Sequence, residues 1–75
     1  MPRFYFDTVV DGATAHDDVG RELADLDAAG HEALRSAAEI AVDLARTAQS
    51  TEIAVKVRVG GVEPLATARL SMRLD

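Results

Sequence analysis

The chain has 75 residues, a formal net charge of −5 at neutral pH and no cysteine, so one small domain is expected over residues 1–75 and both disulfides and thiolate metal sites are excluded. The acidic balance argues against nucleic acid and against an anionic membrane surface, since both are held largely by Lys and Arg facing phosphate. No apolar run approaches the roughly 18 residues that cross a bilayer, and MPRFYFD lacks the apolar stretch of a secretory signal, which leads to the expectation of a cytoplasmic protein.

Arg3–Val9 is aromatic and β-branched and alternates Phe4, Phe6 and Thr8 against Arg3, Tyr5 and Asp7, the period of a strand. Asp11-Gly12 is a strong turn signal and Asp18-Val19-Gly20 a weaker one, after which Arg21–Leu23 reads as a short strand returning against the first. From Leu26 to Ala48 small or apolar residues recur at 26, 29, 30, 33, 37, 40, 41, 44 and 48, one face of a helix at about 100° per residue. Asp25 stands where an N-cap belongs; Asp27 in the first turn and Arg46 near the other end suit the helix dipole. Ile53, Val55, Val57 and Val59 then alternate with polar or small residues, Gly60-Gly61 signals a hairpin turn, and Ala66, Ala68, Leu70, Met72 and Leu74 form the apolar parity of a last strand. The order predicts an α+β fold: a small antiparallel sheet of three to four strands, ββαββ-like, with one long helix packed on one face.

The stretch HDDVGRELADLDAAG, residues 16–30, gathers His16 with Asp17, Asp18, Glu22, Asp25 and Asp27 and raises the question of a metal or catalytic site. Most of these acids have local structural work: Asp17 and Asp18 before a glycine turn, Glu22 on the solvent side of a strand, Asp25 at the cap. Only His16 has none. The spacing is not that of a calcium loop, and His16 and His31 lie on different elements, without the spacing of a zinc pair. Ser36, Ser50 and Ser71 have no His and acid arranged around them as a triad requires, and Asp17/Asp18 lie in a polar loop without an apolar pocket to separate their pKa values. The expectation is no catalytic residue, no metal site and no cofactor: a protein that is not an enzyme.

Two surfaces are left for function. Leu34, Ala38, Val42 and Ala45 make a second helix stripe, rotated from the core face, which fits contact with another subunit and would relieve the small core of a 75-residue chain. On the polar sheet face Tyr5, Lys56, Arg58, Arg69 and Arg73 share one strand parity, a candidate docking face for an acidic partner or nucleic acid.

MPRFYFD, then Asp18-Val19-Gly20-Arg21-Glu22-Leu23-Ala24-Asp25-Leu26, then Ala29 with Glu32-Ala33-Leu34, resembles a domain-of-unknown-function family of short bacterial proteins. Its members open with Met-Pro-Arg and an aromatic–aromatic–Asp strand, continue with Asp-x-Gly-x-Glu-Leu, and start an alanine-rich helix with Asp-Leu. The resemblance covers Met1 to about Leu34. Beyond that only the strand–turn–strand pattern continues; Val59-Gly60-Gly61-Val62 replaces the family's Asp-x-x-Gly turn, and Gly30 stands where a helix former is expected. The resemblance implies a ββαββ fold and a bacterial cytoplasmic home, and no activity. In topology alone the chain is similar to dodecins, short acidic flavin binders, although it has no tryptophan to stack a flavin. The function expected is therefore a self-associating module, a dimer first, or a protein-interaction module. The alternatives are a binder of polyanions through the basic sheet face and a dodecin-like flavin binder.

Overall fold

A computed structural model describes residues 1–60 and 63–75. Its elements are β1 (Arg3–Val10), β2 (Ala13–Ala15), β3 (Arg21–Glu22), α1 (Leu26–Leu44), β4 (Ser50–Arg58) and β5 (Ala66–Arg73). The fold is α+β, one helix against an antiparallel sheet ordered β2-β1-β4-β5, with β3 also paired to β1.

The sheet carries one strand more than the sequence predicts. Asp11 and Gly12 both have positive φ, +47° and +88°, and they join Val10 to its partner Ala13. This is a two-residue hairpin turn of the kind whose twist matches the strands. The three residues after it form β2, too short to show alternation. β1 thus has two neighbours on its outer side: β2 along Thr8–Val10 and β3 along Arg3 and Phe4.

Asp25 caps α1 by accepting from the Ala28 N–H at 2.9 Å. The helix stops at Leu44, four residues short of the predicted Ala48; beyond it the Thr47 N–H donates to the Leu44 carbonyl three residues back, a tighter turn than the helix, and the Ala48 N–H shares that acceptor. Arg46 accordingly lies beyond the last turn. Ala29, Ala33 and Ala37 are fully buried against Phe4, Ile53, Val55 and Val57. Ile40, Ala41 and Leu44 pack beside them, and the helix lies over β4 and β5. The predicted Gly60-Gly61 turn is half visible: Gly60 has φ +63°, while Gly61 and Val62 lie outside the described residues.

Candidate interaction surfaces

On the sheet face away from the helix, antiparallel register sets Tyr5 opposite Arg58, Asp7 opposite Lys56, and Ala54 opposite Arg69. Asp7 is 8% exposed and is the centre of a bonded cluster. Arg58 donates from Nε to Asp7 Oδ2 at 2.7 Å and from Nη2 to Oδ1 at 3.3 Å. Its guanidinium also donates to the Asp17 carbonyl at 2.8 Å and to the Gly60 carbonyl, and it lies 4.8 Å from the centre of the Tyr5 ring, within cation–π range. These bonds from Arg58 hold the Asp7 carboxyl below the usual carboxylate range despite its burial, and the Asp17 N–H adds to them.

Asp17 completes the clasp. The β1 segment between its pairings with β2 and β3 has no strand on its outer side among the described residues, and there the Phe6 N–H donates to Asp17 Oδ2 at 3.0 Å. In return the Asp17 N–H donates to Asp7 Oδ1 at 2.9 Å. Asp17 Oδ1 accepts from Val19 and Gly20 at 3.0 and 3.1 Å. Burial raises the pKa of this carboxyl, but the N–H groups of Phe6, Gly20 and Val19 outweigh it and leave it below the ordinary value.

The acidic stretch is therefore mostly fastening. Asp17, more than Asp18, carries the turn; Asp18 is exposed. His16 does have work: its Nδ1 is 3.3 Å from Asp7 Oδ1 and its Nε2 is 2.9 Å from Arg58 Nη2. A ring protonated on Nδ1 alone satisfies both contacts, donating to the carboxylate and accepting from the guanidinium. Among the described residues no three His, Cys, Asp or Glu side chains are placed to hold a metal ion. Sequence reading missed the Asp7–Arg58 pair because it depends on the β1–β4 register, which strand alternation alone does not supply.

The five residues of the basic face share one side of the sheet but not one electrostatic state. Arg58 is committed to Asp7, and Arg73 is 2.8 Å from Asp75. Lys56 and Arg69 have no ion-pair partner among the described residues.

The helix stripe divides likewise. Leu34, 48% exposed, lines a shallow groove with Leu26, Gly30 and the β5 residue Ala68. Ala45 lines a second groove with Ala48, Met72 and Leu74. Both grooves follow the seam between α1 and β5. Ala38 is exposed. Val42, 71% exposed, lies nine residues from Ala33, roughly 180° round the helix, and points to solvent.

No strand pairs with the outer edge of β5 among the described residues, and its helix-facing residues Ala66, Ala68, Leu70 and Met72 are only half-buried. No helix among those residues is long and apolar enough to cross a membrane.

A model of the family described as Domain of unknown function (DUF6894) matches residues 3–71. No curated protein and no solved structure matches the chain.

Proposed function

Since the chain belongs to the DUF6894 family of domains of unknown function, we propose that it is a non-catalytic interaction module whose first partner is its own copy, in the bacterial cytoplasm. The observation that carries this reading is the apolar seam beside β5. Leu26, Leu34 and Leu74 are 41%, 48% and 69% exposed along it, and no strand among the described residues pairs with the outer edge of β5. A small core gains from covering such a surface. The cluster around Asp7 supports the non-catalytic part, because its carboxylates, guanidinium and imidazole are spent on one another and on the backbone.

The basic sheet face supports a polyanion partner less well, with Arg58 neutralised by Asp7 at 2.7 Å. Among the described residues the grooves beside β5 are lined by no Phe, Tyr or Trp on which a flavin would stack.

Native mass spectrometry over a dilution series tests the proposal. A dimer that dissociates on dilution, and that Leu34→Glu converts to monomer with an unchanged circular dichroism spectrum, is the expected result. A wild-type chain that is monomeric at every concentration refutes it.

A further inference from the structure

We infer that two copies join edge to edge through β5, antiparallel about a two-fold axis at Leu70, so that the two sheets become one. This rests on the self-association proposed above and names its geometry.

The two edges of the sheet differ. One is broken into β2 and β3, three and two residues long, with the 16–20 loop fastened between them; short, interrupted edges resist pairing. The other is β5, eight residues long. The Leu74 N–H donates to the Gln49 carbonyl opposite it at 2.7 Å. That phase turns the even-numbered residues of β5 toward β4 and aims the N–H and C=O groups of Thr67, Arg69, Ser71 and Arg73 outward.

A symmetric antiparallel pair keeps the helix-facing parity together only if the axis passes through a residue. β5 runs from Ala66 to Arg73, so the greatest overlap that an axis through a residue allows leaves two centres, Arg69 and Leu70. Centring on Arg69 sets two guanidinium groups directly opposite, which is destabilising. Centring on Leu70 sets Arg69 opposite the partner copy's Ser71 and Arg73 opposite its Thr67. On the helix side the same register sets Leu70 against Leu70, small Ala68 against Met72, and Ala66 against Leu74. The groove beside Ala68 and Leu34 thus receives the side chains that line the other groove in the second copy. Each contact is made twice, as a two-fold interface requires.

The chain has no cysteine, so single cysteines report the register without background. Residues facing across the axis at a non-hydrogen-bonded position have Cα atoms about 4.5 Å apart, within disulfide reach. Diagonal neighbours, at about 7–8 Å, are not. Under mild oxidation Leu70→Cys is expected to convert to covalent dimer, while Arg69→Cys, Ser71→Cys and the remote control Thr14→Cys stay monomeric. Ser71→Pro removes an outward N–H and no β4 bond, so it is expected to keep the monomer fold and lose the dimer. Native mass spectrometry of the unmodified chain runs alongside. A wild-type dimer that cross-links at 69 or 71, or that Ser71→Pro leaves intact, overturns the inference and leaves self-association standing. A wild-type monomer, its β5 edge open to a strand of some other protein, overturns both.

Discussion

Two glycines separate conformational need from tolerance. Gly20 has φ +73°, and a Cβ there would meet the Phe4 carbonyl at 2.8 Å and the Tyr5 ring at 2.9 Å. Both the backbone conformation and the space exclude a side chain, so Gly20→Ala is expected to lower stability by roughly 1–3 kcal/mol. Gly30, inside α1, has nothing within 4 Å of the same position, and Gly30→Ala should raise stability by about 0.5–1 kcal/mol through helix propensity. Urea midpoints check both; equal shifts in one direction would contradict the assignment. Asp7 and Asp17 contribute to the acid response, as does Glu32, whose carboxyl is held low by Arg35 and Arg21. The folded pKa values of the two aspartates lie below the unfolded value near 3.8, so their contribution is fully present above that value and is lost as pH falls through the folded ones. Asp7→Asn, which also weakens the bonds Arg58 makes, is expected to cost about 1–3 kcal/mol at neutral pH. It should also flatten the decline of the urea midpoint between neutral pH and strong acid; an unchanged decline would place the acid lability elsewhere.

At the scale of elements, the helix–sheet contact is set by size. Ala29, Ala33 and Ala37 show no exposed surface, and they are packed in one cluster with Phe4, Ile53, Val55 and Val57. Ala33→Leu is expected to destabilise by about 1–3 kcal/mol through overpacking, whereas Ala38→Leu, on the exposed flank, should stay within about 0.5 kcal/mol of wild type; thermal unfolding of the two variants tests the contrast. The alanine periodicity, the Asp25 cap and the alternation in β4 and β5 were legible because each is a local pattern. β2 was not, because three residues are too few to alternate, although Asp11-Gly12 marked the turn that starts it. The end of α1 was misjudged because Ala48 keeps the helical period after the backbone has turned at Leu44. The basic face was legible as a parity and not as a charge distribution. Its sign depends on Asp7 and Arg58 meeting across β1 and β4, a matter of register that neither strand displays alone.

At the scale of the whole molecule, the helix covers β4 and β5 while the seam beside β5 keeps apolar surface in water. If a second copy covers that surface, association is linked to folding, and stability depends on protein concentration wherever the dimer predominates. Each tenfold rise in concentration adds about 1.4 kcal/mol per dimer, half of it per chain. For a domain of this length that corresponds to roughly 3–5 °C in Tm. Leu34→Glu sets a charge in the seam without touching the buried Ala29–Ala33–Ala37 contact, so its Tm should be lower than wild type at high concentration and should not move on dilution. The two curves should converge at the lowest concentrations, where the wild type is also a single chain. A wild-type Tm independent of concentration, together with a Leu34→Glu variant that unfolds at the same temperature throughout, would mean that the monomer's own core suffices and that the seam is kept for a different chain.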